Sequence, residues 1–516
     1  MPESARSCGF TNVKRGIRVA SAHSYSTADF GLRMREYTDT HITSFCEAEL
    51  RALRKKKRER QRGHHECTYN GVYSQRKGSR VLLLKLLENV GSNQVTRAVT
   101  NTMVATKSFL AFMALPVGLH GYHVQRDLSE STASRTSAET RDTAAEFVHP
   151  GIFVDSSQLQ RMASKVASKT QPWTAAYDAM MKHPYAAIET PTPYETVECG
   201  PYSKPDIGCA DERKNALAAY LNALAWATTK DQSKATRAIS IMNAWAKKIK
   251  SHTNKNAPLQ AAWAATVWAR AGEIIRYTDA PWSSEDITSF EGMLRNVYLP
   301  IVKNGSKNPN NWDLGSYKLY IANPVLMEAS ISIAVFLNDR ATYDASLARF
   351  INSTSYYIYL KSDGPEPRGP YKMPRKTLLE HWWEGQKEFN EDGMAMEVCR
   401  DLTHTAYGLA SISHVAETAR IQGRDLYSED TGTRLRAGLE FQTKYDKKGG
   451  AQEVPSWLCK GSLKLHLEDV TEPGYSILGA KYDMPYTKKY TAAARPAGAN
   501  TLFVGWETLT HATGEL

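Results

Sequence analysis

The sequence has few cysteines and lacks any long hydrophobic run. Its longest apolar run falls well short of the roughly 20 residues that a membrane-spanning helix needs, and the mean hydropathy is −0.47. The 7 cysteines never stand in C-x-x-C spacing, the usual arrangement of a structural zinc site. No fixed-period self-similarity is present. These absences argue against an integral membrane protein, a zinc-binding module and a helical repeat scaffold.

The net charge of +11 is concentrated at one end of the chain. Residues 1–102 hold 19 basic and 9 acidic residues, whereas the remainder has a net charge of only +1. A basic run at residues 51–62 fits either a nucleic-acid patch or a solvated, disordered segment. The composition favours disorder, because the segment shows no sustained helical or strand period. We therefore predict a disordered basic leader and no nucleic-acid partner.

A second N-terminal feature begins at Met103. Lys107 precedes a mostly apolar stretch at residues 108–119, the pattern of a secretory signal peptide. We therefore expect the physiological product to begin at Met103 and to be secreted. The expected organisation is a leader, a signal-like segment, a linker and a catalytic domain, at residues 1–102, 103–120, 121–146 and 147–516. In a secreted protein, Cys199 and Cys209 could close a small disulfide loop.

From about residue 156 onward, apolar residues recur with the helical period of about 3.6. The predicted helices cover residues 156–168, 172–182, 212–229, 232–250, 258–278, 284–301, 315–337, 341–354, 391–421 and 432–446, and a break near Asp401 stays open in the helix 391–421. Strand signals are weak and occur only after about residue 450. Helices of this length, joined by short loops, favour antiparallel pairs. The predicted fold class is therefore all-α, with helix pairs that stack into a bundle, a solenoid or a closed toroid.

Three segments carry polar and aromatic groups that a helical core does not need. The first is a loop that contains Asn311, and the third is the carboxy-terminal segment from residue 484 to 511. The second segment, residues 381–408, contains four polar residues, namely Glu397, Arg400, His404 and Tyr407. Their successive spacings of three, four and three place them on one face if the segment is a single helix. A surface ion-pair ladder would explain only the first two of these four, so we predict a functional site.

At these residues the sequence resembles a known family. NNW (310–312), SIAVFLND (332–339), CRDLTHTAYGL (399–409), ETARIQGRDLY (417–427) and WETLTH (506–511) are similar to motifs of the alginate-lyase domain of helical polysaccharide lyases. The resemblance is collinear over residues 147–516 and reaches none of the first 146. It implies an (α/α) toroid or incomplete barrel, secretion, and cofactor-free β-elimination of an acidic polyuronate. We expect a monomer without a metal.

The chemistry of elimination assigns roles to the candidate residues. The C5 proton of a uronate is barely acidic until donors offset the charge of the adjacent carboxylate, a role that suits Asn311 and Arg400. His404 and Tyr407 suit the base and the acid, and a nearby Arg400 is expected to lower the pKa of Tyr407. Tyr475 is a rival for the catalytic tyrosine. The candidate substrate-binding residues are Trp312, Trp382, Trp383 and Glu397. Related lyases often carry histidine where Trp312 stands, so His404 is the first choice for this group.

Two other functions stay open at this point. An (α/α) glycoside hydrolase would need two carboxylic acids about 5 to 9.5 Å apart across a cleft. The sequence offers four candidates for that pair, Asp313, Glu384, Asp392 and Glu397. A non-catalytic carbohydrate-binding toroid is the third alternative, and it predicts that Asn311, Arg400 and His404 do not meet in one cleft.

The leader hypothesis makes a prediction about the mature protein. If the signal-like segment after Met103 is cleaved, the secreted protein lacks everything before about residue 121. Tryptic mass spectrometry of the secreted protein is then expected to find peptides of the 147–516 domain and none from residues 1–102. Leader peptides at the abundance of domain peptides would contradict the hypothesis.

Overall fold

The computed structural model describes residues 146–303, 324–369 and 373–516. Asn311, Trp312 and Asp313 lie outside these residues, as do the predicted leader, signal-like segment and most of the linker. The described part is mostly helical, and the predicted all-α class is confirmed. Among these described residues, no helix is long and apolar enough to cross a membrane.

The helices follow the predicted order, but the predicted helix 391–421 begins only at residue 402, and a π-helical turn interrupts the predicted helix 284–301. They are α1 (Ser156–Ala167), α2 (Trp173–Lys182), α3 (Cys209–Thr229), α4 (Gln232–Lys248), α5 (Ala257–Arg276), α6 (Ser284–Met293), α7 (Leu299–Val302), α8 (Pro324–Phe336), α9 (Arg340–Tyr357), α10 (Arg375–Thr377), α11 (Leu402–Ile421), α12 (Asp430–Tyr445), α13 (Glu472–Leu478), α14 (Pro485–Ala494) and α15 (Glu507–His511). The last three helices replace the weak strand signals that the sequence shows after residue 450, so that prediction is wrong.

The helices divide into an inner and an outer set. In the inner helix α5, 17 of 20 residues are buried, whereas in the outer helix α4 only 5 of 17 are. Successive inner helices α3, α5, α8 and α11 pack side by side, and α4, α9 and α12 pack on their outer faces. Because an outer helix returns the chain between inner ones, the inner helices run parallel. This arrangement is an (α/α) toroid, as the resemblance implies.

Side-chain caps begin several of these helices where the sequence indicates. Asp231 accepts a hydrogen bond from the backbone N–H of Ser233 at the start of α4. Ser283 and Asp339 cap α6 and α9 in the same way. Each cap satisfies a backbone donor that has no partner within its helix, which fixes where the helix begins.

The short strands lie at the amino-terminal side of the domain, not after residue 450. Strands β1 (Gly151–Ile152) and β2 (Val154–Asp155) form a tight antiparallel pair. A second sheet has the order β4-β3-β5, in which β3 (Thr196–Cys199) pairs antiparallel with β4 (Asp206–Ile207) and parallel with β5 (Ser251–Thr253). The predicted disulfide between Cys199 and Cys209 is present and ties β3 to the start of α3. A second disulfide, Cys399–Cys459, was not predicted.

A buried network of charged groups joins the inner helices. Arg270 of α5 donates to Glu328 of α8, and His414 of α11 contacts Glu328 at 2.9 Å. The other ring nitrogen of His414 lies 2.6 Å from Glu507 of α15. Because both ring nitrogens face carboxylates, both donate, and the imidazole is a cation. Although burial opposes this charge, the carboxylates Glu328 and Glu507 outweigh it and raise the pKa of His414.

Removal of one member of this network is expected to destabilise the fold strongly. Glu328→Ala leaves Arg270 and His414 buried without their shared acceptor, so we expect the free energy of unfolding to fall by about 3–5 kcal/mol. The matched control is Glu291→Ala, which breaks the partly exposed Arg276–Glu291 pair and is expected to cost about 1 kcal/mol or less. Urea unfolding measures both. Equal losses in the two variants would contradict a structural role for the network.

Candidate active site

The candidate site lies at the first turn of α11. Asp401 precedes this helix with extended backbone (φ −175°), and its carboxylate accepts the N–H of His404 at 2.8 Å. The helix therefore begins at Leu402, and Glu397 and Arg400 lie in the turns before it. The sequence leaves a break near Asp401 open within the predicted helix over residues 391–421, and the structure has that break. The four polar residues therefore do not share one helical face.

The turns nevertheless bring these residues together. Glu397 and Arg400 form an ion pair at 3.1 Å, and Arg400 directly precedes Asp401, the residue that caps α11. The side chain of Arg400 is 29% exposed and that of His404 is 31% exposed, so both reach solvent at the same end of α11. The ring of Tyr407 lies edge-to-face with that of His404, at 5.9 Å between centroids. Arg400, His404 and Tyr407 thus form a single cluster.

Asp401 orients the imidazole of His404. Its two carboxylate oxygens lie 2.7 and 2.8 Å from Nδ1 of His404. Because a carboxylate only accepts, Nδ1 carries the proton in the neutral ring, and Nε2 keeps a free lone pair. Burial lowers the pKa of His404 below 6.5, although Asp401 opposes the shift. Sequence reasoning missed this role of Asp401, and the signal for it was the D-x-x-H spacing at a helix start.

The environment of Tyr407 differs from the sequence-based expectation. Arg400 was expected to lower the pKa of its hydroxyl. The structure instead raises this pKa, first by burial and then through the charges of Glu468 and Asp401. Tyr407 therefore stays protonated at neutral pH, which suits a proton donor.

Glu397 lies behind Arg400 and holds it in place. It is 7% exposed, and its second oxygen lies 3.4 Å from the hydroxyl of Tyr357. Tyr357 packs directly on Gly408, where a Cβ would collide with its ring, so only glycine allows this approach. Burial raises the pKa of Glu397 to about 7, with Arg400 opposing the shift. This arrangement favours a supporting role for Glu397 over the predicted direct contact with substrate.

The two predicted tryptophan platforms also belong to the core. Trp382 and Trp383 are 4% and 0% exposed, and the ring of Trp383 packs edge-on against Phe389. A buried indole presents no face to a sugar ring. The sequence places both residues beside polar neighbours, but the π-helical turn Leu378–Trp382 directs them inward.

Tyr475 lies away from the cluster. It belongs to α13 and is 9% exposed. Gly474, the residue before Tyr475, packs against Ser413 of α11: a Cβ added at Gly474 would lie 3.0 Å from the Ser413 side chain. Ser413 is nine residues beyond His404 on α11. Nine helical residues rise about 13 Å. The charges that act on the hydroxyl of Tyr475 are those of Arg495, Glu440, Asp483 and Glu472, and none of them belongs to the cluster around His404.

One further segment, residues 459–468, crosses the start of α11. The Cys399–Cys459 disulfide anchors its beginning beside Arg400. The carbonyl of Lys464 then accepts the N–H of Leu402 at 3.0 Å, and that of His466 accepts the Thr403 hydroxyl at 3.0 Å. The side chains of Lys464 and His466 are exposed here. This segment therefore adds basic groups beside the cluster.

Comparison with solved structures defines the fold. A variant of alginate lyase A1-III complexed with a tetrasaccharide aligns with 72% of this chain and 98% of its own, at 14% identity and a TM-score of 0.50. An alginate lyase from Bacteroides ovatus aligns with 71% of this chain and all of its own length, at 14% identity and a TM-score of 0.46. No family model and no curated protein matches the sequence. The domain thus has an alginate-lyase-like fold.

The Asp401–His404 contact can be tested without any substrate. Asn can still cap α11 but lacks the negative charge, so Asp401→Asn is expected to lower the pKa of His404 further. An NMR titration of the histidine ring protons measures this shift. The matched control, Asp231→Asn at the start of α4, is expected to leave His404 unchanged. An unaltered His404 titration in Asp401→Asn would disprove the contact.

Proposed function

We propose that this protein is a polysaccharide lyase that cleaves an acidic uronate polysaccharide, of the alginate, polymannuronate or glucuronan type, by β-elimination. The observation that carries the proposal is the cluster of Arg400, His404 and Tyr407 at the start of an inner helix. It joins a guanidinium, a neutral imidazole held by Asp401, and a protonated phenol. Elimination of a uronate needs a donor to the carboxylate, a base and an acid, and these three groups can supply them.

Each residue has a defined step in this reaction. Arg400 offsets the charge of the uronate carboxylate as negative charge develops on it. Nε2 of His404 takes the proton from C5, and the released electron pair forms the C4=C5 double bond as the bond from C4 to the glycosidic oxygen breaks. The hydroxyl of Tyr407 donates its proton to that departing oxygen. No water is consumed, and the bond changes balance.

The electrostatic environment supports this assignment. Burial lowers the pKa of His404, which keeps the base neutral at neutral pH. Burial and neighbouring acids raise the pKa of Tyr407, which keeps the acid protonated. Asn311 remains our proposal for a second donor to the carboxylate and Trp312 for a sugar contact, and both lie outside the described residues.

The location and organisation of the protein are part of the proposal. Two disulfides, Cys199–Cys209 and Cys399–Cys459, favour an oxidising compartment and therefore secretion. The proposed catalytic domain covers residues 147–516, and the proposed partner is an acidic polysaccharide bound by a monomer.

One observation favours a second candidate, an (α/α) glycoside hydrolase. A hydrolase needs a carboxylic acid that is protonated near neutral pH, and burial raises the pKa of Glu397 to about 7. Both oxygens of Glu397 are engaged, however, by Arg400 and Tyr357. This arrangement favours a support role for Glu397 and ranks the hydrolase second.

The products distinguish the two candidates. Only a lyase product carries the C4=C5 double bond, which absorbs in the ultraviolet. The purified protein from residue 121 onward is expected to generate this absorbance from at least one polyuronate among mannuronate, guluronate and glucuronate polymers. New reducing ends without the absorbance would indicate a hydrolase. If neither signal is seen, the non-catalytic carbohydrate-binding toroid is the alternative that remains.

Substitutions then test the individual roles. We expect His404→Ala, Tyr407→Phe and Arg400→Ala each to lower kcat by about 10²-fold or more, and the His404 and Tyr407 variants largely to retain polyuronate binding. Matched controls are the exposed His381→Ala and Tyr482→Phe, which are expected to keep full activity. In the native enzyme kcat/KM is expected to fall below pH 6.5, as His404 gains a proton and loses its base function. Full activity of His404→Ala would contradict the assignment.

A further inference from the structure

The outer helix α9 carries a sequence motif that the proposed function does not use. Asn352, Ser353 and Thr354 form an Asn-x-Thr tripeptide, the acceptor motif of N-linked glycosylation. A second tripeptide of this kind, Asn-Gly-Ser, begins at Asn304, outside the described residues. Because short motifs also arise by chance, the surroundings of Asn352 decide whether it suits this modification.

Asn352 lies on the side of α9 that faces away from the core. The helix has seven buried residues, and they include Tyr343, Phe350 and Tyr357. Nine helical residues separate Tyr343 from Asn352, a rotation of about 180° around the helix axis. Asn352 is exposed accordingly. A glycan on its amide would therefore project into solvent without displacing any packed side chain.

The folded domain gives no structural reason for an asparagine at this position. Asn352 lies in the interior of α9, whose cap residues are Asp339 and Ile358. Asparagine is a poorer helix former than alanine or leucine at such a position. Within the described part of the chain, the amide of Asn352 has no hydrogen-bond partner, and its backbone carbonyl accepts the hydroxyl of Ser355 at 2.7 Å. The side chain neither caps the helix nor supports its packing.

The neighbours of Asn352 on the same face leave room for a sugar. A helical side chain leans toward the amino-terminal end of its helix, so the amide of Asn352 extends over the preceding turn. That turn presents Ala348, and the turn before it presents Ala345, both exposed. The half-buried Tyr356 lies one turn beyond Asn352 and leans back toward it. Its ring offers an apolar surface to the first sugar of a glycan.

The two disulfides agree with the compartment in which such glycans are added. N-linked glycans are attached along the secretory route, whose oxidising conditions allow disulfides such as Cys199–Cys209 and Cys399–Cys459 to form. Attachment takes place while the chain enters this route and is still unfolded. In the folded protein Thr354 is buried and donates to the carbonyl of Phe350 at 3.1 Å. This burial therefore does not prevent the reaction.

We propose that Asn352 carries an N-linked glycan. The donor is an oligosaccharide attached to a lipid pyrophosphate. Nδ2 of Asn352 loses a proton and bonds to C1 of the first sugar, while the bond from that carbon to the pyrophosphate oxygen breaks. The proposal rests on the proposed secretion and is independent of the proposed lyase activity. Tyr357, which contacts Glu397, lies about 140° away from Asn352 around α9, so the glycan points away from the support of Arg400.

The test is mass spectrometry of the protein secreted by a eukaryotic cell. The full chain is preceded by an established secretory signal, so the result does not depend on its own signal-like segment. Enzymatic removal of N-linked glycans in heavy-oxygen water converts a glycosylated asparagine into a labelled aspartate, and this label is expected at residue 352. Asn352→Gln is expected to abolish the label. Two variants form a matched pair at one buried position: Thr354→Ser keeps the hydroxyl and the glycan, whereas Thr354→Val loses both.

The outcomes separate the glycan from the lyase activity. An unlabelled residue 352 in the secreted native protein would overturn the proposal, as would equal labelling of Thr354→Val and the native chain. A labelled residue 352 in a protein that forms no ultraviolet-absorbing product would support the glycan and remove the lyase activity. If Thr354→Val is not secreted, the exposed Asn352→Gln decides the question.

The contact between the glycan and Tyr356 has its own measurement. Tyr356→Ala is expected to lower the Tm of the glycosylated protein more than that of the Asn352→Gln variant, because only the former has a sugar against the ring. Equal losses in the two backgrounds would overturn the contact.

Discussion

The ion network of Arg270, Glu328, His414 and Glu507 is the constraint on which the domain depends. These four groups come from four helices, three of which are inner helices of the toroid. Two cations face two carboxyl groups, so the charges compensate one another in a region that water does not reach. Such groups are costly to bury unless all partners are in place. The network therefore favours one register of the inner helices over any other.

The same network reaches the candidate active site. Arg270 contacts the carbonyl of Phe503 at 3.4 Å, and the ring of Phe503 lies between those of His414 and Tyr407. The turn that carries Phe503 thus has a buried cation on one side and the proposed acid on the other. Rigid elements position reacting groups better than mobile loops do. We infer that the buried charges fix the position of Tyr407 as well as the packing of the helices.

Burial also sets the chemistry of the cluster. It lowers the pKa of His404 and raises those of Tyr407 and Glu397, because charged forms are less stable away from water. Divergent shifts of this kind separate a base from an acid at one pH. Asp401 performs two tasks here, since it begins α11 and orients the imidazole. A single carboxylate therefore links the start of a helix to the protonation of its first histidine.

The sequence by itself determined the helical class and most helices, because apolar residues at helical spacing have to face a core. It also singled out Arg400, His404 and Tyr407 as candidates, because their residue types match one kind of chemistry. Only the tertiary structure decided which side chains reach solvent. It buried Trp382, Trp383 and Glu397, moved Tyr475 away from His404, and brought residues 459–468 across α11 through a disulfide. These outcomes depend on contacts between residues far apart in the chain, which local spacing does not encode.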